Sequence, residues 1–247
     1  MRRLSIAASA MIFLACGGGD DGGSGGGGSV AAAAPLGNGS ITGMVMFTGD
    51  AAPNPTIDMA EEPQCAEKHS GAPVDPILSV ADGRLANVFL RVTGGLPDGP
   101  YPMPSEPATI DQDGCLYHPR VVGVMVGQEL TITNSDSLLH NIKAIPTENR
   151  PFNISQPRAG MTSRRTFNTP ETMVPLECNV HGWMNAYVGV VEHSYFAVSA
   201  ADGSFTISGL PAGTYQVEAW HETLGTQSGE VTVAADGSAS LDFTFGG

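Results

Sequence analysis

Positive charge is scarce in this 247-residue chain: 11 lysines and arginines stand against 25 acidic residues, a formal net charge of −14. Without a basic stripe to neutralise phosphates, nucleic-acid binding is excluded as a function. The same surface favours positively charged partners through electrostatic steering. Long apolar runs are also missing. The longest, Leu4 to Leu14, is too short to cross the hydrocarbon core of a bilayer. The chain has almost no helical periodicity, no nucleophile beside a general base, no paired-carboxylate signature and no glycine-rich phosphate loop, so an enzyme is not expected. There are only four cysteines, Cys16, Cys65, Cys115 and Cys178, few enough for each to be considered by itself.

Met1-Arg2-Arg3 followed by the short apolar run reads as a secretory leader, residues 1–16. Phe13-Leu14-Ala15-Cys16 resembles a bacterial lipobox, which implies lipidation of Cys16. Residues 17–37, nearly all Gly, Ser, Ala and Asp at first, form a flexible tether with an r.m.s. span of roughly 25 Å, enough to hold a domain away from a membrane surface. The expectation is an exported bacterial lipoprotein, periplasmic or anchored to the outer membrane, touching the membrane only through its lipid.

Beyond the tether, short alternating runs are punctuated by Gly, Pro and Asp-Gly: Ser40 to Phe47, Asn87 to Val92, Ala108 to Ile110, Val121 to Val126, Glu129 to Thr133, Arg164 to Phe167, Ala186 to Val191, Ser204 to Ile207, Tyr215 to Ala219, Glu230 to Val233 and Ser240 to Phe245. This spacing predicts an all-β chain of sandwich architecture. Residues 50 to 80 and 97 to 107 read as loops, with one helical turn within Ala60 to His69.

Cys178-Asn179-Val180-His181-Gly182-Trp183-Met184 supplies a thiolate, an imidazole and a thioether within one turn between two strands. A soft sulfur, a borderline nitrogen and a weak thioether together suit copper in both oxidation states. The second equatorial nitrogen must come from another strand end, and His140 follows the run Glu129 to Thr133. Zinc is the alternative metal, but a closed zinc site needs four strong ligands and Met is a poor one. The unremarkable alternative makes Cys178 half of a disulfide, His181 a surface residue and Met184 core.

A lone upstream His with a downstream Cys-x-x-His-x-x-Met loop resembles the cupredoxins, and the loop length is most similar to that of amicyanin. The resemblance implies a Greek-key β-sandwich, one type 1 copper held by His140, Cys178 and His181 with Met184 axial, and one-electron transfer with a redox donor or acceptor protein. It also implies that Asn141 ties its loop to the Cys178 loop, and general outer-shell chemistry agrees. Trp183 and Tyr187 are expected to shield the copper or pack beneath it, and Trp220 to pack the C-terminal sandwich. The rival functions are a non-redox copper-handling protein and a surface binding scaffold with structural copper.

Ala201-Asp202-Gly203-Ser204-Phe205-Thr206-Ile207-Ser208-Gly209-Leu210-Pro211-Ala212-Gly213-Thr214-Tyr215 is similar to the carboxypeptidase-regulatory-like module, a small transthyretin-like β-sandwich. Asp202-Gly203 is expected to make a hairpin turn, with Phe205 and Ile207 facing inward. The organisation expected is a cupredoxin domain over 38–193 and this module over 194–247. Residues 38–95 alternatively complete the C-terminal sandwich, since Gly39 to Phe47 looks like its opening strand. Across most of its length the chain resembles exported bacterial cupredoxin-domain proteins that end in this module, some named for methylamine utilisation. Relatives of that group often carry His where this chain has Arg120 and Lys143, which puts in doubt any second metal site around Cys115, His118 and His140.

An oxidising compartment favours a Cys65–Cys115 disulfide, leaving Cys178 for the metal. The pairs Cys65-x-x-x-His69 and Cys115-x-x-His118 also form a two-Cys, two-His set, so a zinc or copper site stays open there. With the disulfide formed, His69 and His118 need no role. His193, His221 and Glu222 read as structural or surface groups.

Overall fold

Alternation is clearest in the strand Gly213–His221, where Tyr215, Val217, Ala219 and His221 are buried while Thr214 and Gln216 face water. That period-two pattern runs through most of the chain, and the computed structural model, which describes residues 33–247, is all-β apart from the four-residue helix Pro63–Ala66. The expected secretory leader, Cys16 and most of the expected tether lie outside the described residues.

One sandwich is built from a five-stranded and a four-stranded sheet. The first runs Phe152–Gln156, His140–Ala144, Glu171–Glu177, Asn185–Val191 and Val121–Met125; the second runs Met161–Arg165, Leu130–Asn134, Ala108–Asp113 and Leu116–His118. Ile110, Leu130, Ile132, Ile142, Leu176 and Val188 fill the space between them, where burying such side chains contributes about 1.5–3 kcal/mol each. His140 begins a strand of its own instead of trailing the one before it. His-Asn-Ile-Lys-Ala carries little β-branched signal, and its pairing with Phe152–Gln156 supplies the order that propensity does not.

The second sandwich takes strands from both ends of the chain. Gly39–Thr48 pairs antiparallel with Ser204–Leu210 and parallel with Ser238–Ser240 and Phe243–Gly246, while Phe89–Gly94 lies between Phe196–Val198 and Gly213–His221. Residues 38–95 do not act as one block, however, because Ile57, Met59 and Cys65 pack into the core of the other sandwich. Asp202-Gly203 does make a tight turn, with Gly203 at φ +77° and its N–H donating to the Ala200 carbonyl. Ala200 N–H in turn donates to the Ser204 carbonyl at 2.9 Å, so the turn closes as a hairpin turn does, but the strands beyond it diverge: the one before pairs with Phe89–Gly94 and the one after with Gly39–Thr48, and the turn carries the chain from one sheet to the other.

Where the sandwiches meet, a Cβ on Gly189 would sit 2.5 Å from the Phe89 ring and one on Gly123 would sit 2.3 Å from Phe196, so the contact requires glycine at both positions. Tyr187 and Trp220 pack edge to face at this junction with ring centroids 5.3 Å apart. This corrects the expectation that Tyr187 lies under the metal. Its ring partner, Trp220, belongs to the other sandwich, which no local pattern indicates.

Candidate metal centre

The loop Cys178 to Met184 is closed by its own backbone. Cys178 N–H donates to the Met184 carbonyl at 3.2 Å and Met184 N–H to the His181 carbonyl at 3.0 Å. The His181 N–H also points at Cys178 Sγ, 3.4 Å away. Three side chains from one turn are thereby turned inward, and the strand beginning at His140 brings the fourth. His140 Nδ1 and His181 Nδ1 face each other at 2.9 Å, and Cys178 Sγ lies 3.9 Å from His181 Nδ1. The donor atoms of His140, Cys178 and His181 lie within 4.8 Å of one another. Met184 is fully buried in the same core.

These separations fit a shared ion, since two metal–nitrogen bonds of about 2.0–2.1 Å can join nitrogens up to about 4 Å apart. The donor chemistry fits too: two imidazoles and one thiol face one another, and Met184 is buried in the same core. Burial pushes the Cys178 thiol up, but the His181 side chain and backbone hydrogen bonds from the Asn141, His181 and Val180 region more than offset it, holding the thiol below its usual range. The thiolate a soft metal requires is therefore reached more easily than in an unperturbed cysteine.

Asn141 lies between the two ligand-bearing segments. Its Oδ1 accepts from Asn179 N–H at 2.7 Å and lies 3.4 Å from Cys178 Sγ, while its Nδ2 donates to Asn153 at 2.7 Å. Tyr117 donates its hydroxyl to the Asn141 carbonyl at 2.6 Å, and burial, followed by the nearby Cys178 charge, pushes that phenol far above its ordinary range. Tyr117 thus remains a neutral donor.

Cys65 and Cys115 form a disulfide, and Cys178 is the free thiol among the described residues. The bridge lies against the centre: Cys65 Sγ is 3.7 Å from His181 Nε2. Trp183 packs on the His181 ring with centroids 5.3 Å apart and donates its indole N–H to the Cys115 carbonyl at 2.9 Å. His181 is consequently only 2% exposed. His69 has a role that the sequence did not suggest, donating from Nε2 to the Gly114 carbonyl at 2.8 Å, whereas His118 is exposed.

Two contributors were missed in the sequence. Asp136, fully buried, bonds His140 Nε2 at 2.8 Å, and Lys68 reaches Asp136 at 2.6 Å. The signal for Asp136 was its position four residues before His140; Lys68 had none. Arg120, expected only as a departure from a histidine pattern, is buried in ion pairs with Glu222 and Asp75. Lys143 stands in an exposed pair with Glu177 at 3.6 Å. His193 and His221 are both largely buried, and burial lowers both of their pKa values.

The family model of the carboxypeptidase regulatory-like domain matches residues 183–246. Among curated protein sequences none matches this chain. Solved structures that resemble part of it include a purple cupredoxin from Nitrosopumilus maritimus, 26% identical, covering 34% of this chain and 98% of its own, TM-score 0.29. A copper-containing nitrite reductase from Thermus scotoductus is 22% identical over 40% of this chain, TM-score 0.33, and the matched part is 25% of the reductase chain. A Cu(I) form of an amicyanin mutant is 16% identical, covering 41% of this chain and 97% of its own, TM-score 0.31. At these scores the functional argument rests on the side-chain geometry.

Proposed function

We propose that this is an exported type 1 copper protein that passes single electrons, with His140, Cys178 and His181 as equatorial ligands and Met184 axial. The observation that carries the reading is the convergence of two imidazole Nδ1 atoms and one thiol held below its usual pKa, with Met184 buried in the same core. Copper bound there would supply a one-electron couple; the protein's part is to fix the donors so that neither oxidation state requires them to move. Asn141, Trp183 and the disulfide hold the two loops in register and keep water out. The acidic chain favours a cationic redox partner. In this reading the copper-bearing sandwich is inserted into the second one, which spaces it from a lipid-anchored N-terminus.

The rival copper-handling reading requires rapid metal release, which burial of all four side chains and a disulfide over His181 oppose. The test is voltammetry and a chelator challenge on the full-length, copper-loaded protein. A reversible one-electron wave with copper retained over hours supports electron transfer. Irreversible redox chemistry with copper lost to the chelator in seconds overturns it in favour of copper handling.

Met184→Gln separates an axial ligand from a core filler. A harder oxygen donor favours Cu(II), so the variant should keep its copper while its potential falls. An unchanged potential beside a stability loss of about 1–3 kcal/mol, the cost of burying an unsatisfied amide, would remove Met184 from the ligand set.

A further inference from the structure

Asp136 is saturated with donors. Its carboxylate accepts from Gly114 N–H at 3.0 Å, Cys115 N–H at 2.8 Å and the Lys68 ammonium at 2.6 Å, and it meets His140 Nε2 at 2.8 Å. An ionised carboxylate only accepts hydrogen bonds, and four donors occupy its roughly four lone-pair sites. The His140 contact therefore has one polarity: Nε2 carries the proton and donates, leaving Nδ1 bare and facing the centre. The cation that completes this shell arrives from outside the sandwich's own sheets. Lys68 follows the helix Pro63–Ala66, and that segment is fastened by the Cys65–Cys115 bridge and by His69 on the Gly114 carbonyl. The bridge and the histidine both close on one hairpin turn, Gly114-Cys115, whose two N–H groups are held by Asp136, the partner of the lysine.

We propose that Asp136 and Lys68 are positioning residues for the metal centre: Asp136 fixes the His140 tautomer and ring orientation, and Lys68, held in place by the disulfide-fastened segment, balances the Asp136 charge and so sets the potential of the couple. This rests on the copper reading for the potential, while the tautomer is a property of the metal-free protein. The two residues carry opposite charges on the same side of the same ligand, so their removal acts in opposite directions. Loss of the lysine leaves an uncompensated anion beside His140, which favours the more highly charged oxidised metal. Loss of the carboxylate does the reverse. Lys68 is one-third exposed, so its effect is partly screened by salt, whereas that of buried Asp136 is not.

The experiment has two arms. In the metal-free full-length protein, nitrogen-15 NMR of the histidine rings should show the His140 proton on Nε2, and Asp136→Ala should lose that fixed tautomer. In the copper-loaded protein, Lys68→Met should lower the reduction potential, the more so at low salt; Lys68→Arg should restore it; and Asp136→Ala should raise it by a larger amount. A purely structural ion pair would change melting temperature in these variants without opposed shifts in potential. A wild-type His140 protonated on Nδ1 overturns the Asp136 assignment. An unchanged potential in Lys68→Met overturns the Lys68 assignment even if Asp136→Ala fails to fold. If copper does not bind, the copper reading fails, and the tautomer arm still decides whether Asp136 positions His140.

Discussion

Cys178→Ala is expected to abolish the intense visible absorption of the copper-loaded protein and to weaken copper binding by more than about 100-fold, since outer-shell losses alone cost 10–100-fold and this variant removes the one thiolate. The colour of a type 1 site arises from charge transfer between thiolate and Cu(II), and no other free thiol exists among the described residues to replace it. The side chain is 4% exposed, so the alanine leaves a small cavity beside His181. Absorption, copper hyperfine splitting and a titration against a competing chelator read the outcome. A colourless wild type at full copper occupancy would remove the type 1 assignment. A variant that keeps its colour would place the thiolate elsewhere, which among the described residues the Cys65–Cys115 bridge leaves no room for.

How much of this was legible in the sequence follows from how local each feature is. Cys178, His181 and Met184 sit in one seven-residue turn, so their type and spacing could be read directly. His140 could be chosen as the distant imidazole, but its partner Asp136 was obscured, because an acid in an Asn-Ser-Asp-Ser run reads as a turn former before it reads as a hydrogen-bond acceptor for a histidine. Lys68 was illegible: a lysine near a short helix carries no pattern, and only the fold brings it to Asp136 across 68 positions of sequence. Tyr187 was misplaced for a related reason. The alternating strand Asn185–Val191 shows which residues lie on one face but not that a second sandwich covers that face. The strand alternation that gave the all-β class is local chemistry; the choice between Gly39–Thr48 staying with its sequence neighbours or pairing with the last strands is not.

Arg120→Met is expected to cost about 3–5 kcal/mol in equilibrium denaturation, the range for removing one partner of a buried charge cluster. Arg120 precedes the strand Val121–Met125, and its side chain is 7% exposed. It forks onto both oxygens of Glu222, at 2.5 and 2.9 Å, and donates its other nitrogen to Asp75 at 2.7 Å. Burial works against the charged guanidinium, and the hydrogen bond and charge of Glu222 followed by the charge of Asp75 outweigh it, leaving Arg120 more firmly protonated than usual. Glu222 lies just past the strand Gly213–His221 and Asp75 near the end of the segment that covers the metal centre, so one arginine joins three parts of the chain that no strand pairing connects. Methionine matches much of its volume but strands two carboxylates in a dry junction. The double variant Arg120→Met with Glu222→Gln tests this cause directly, since neutralising the stranded partner should recover part of the loss and give a coupling energy of about 1–3 kcal/mol. Strictly additive losses would show that Arg120 acts through packing of its alkyl stem and not through its charge.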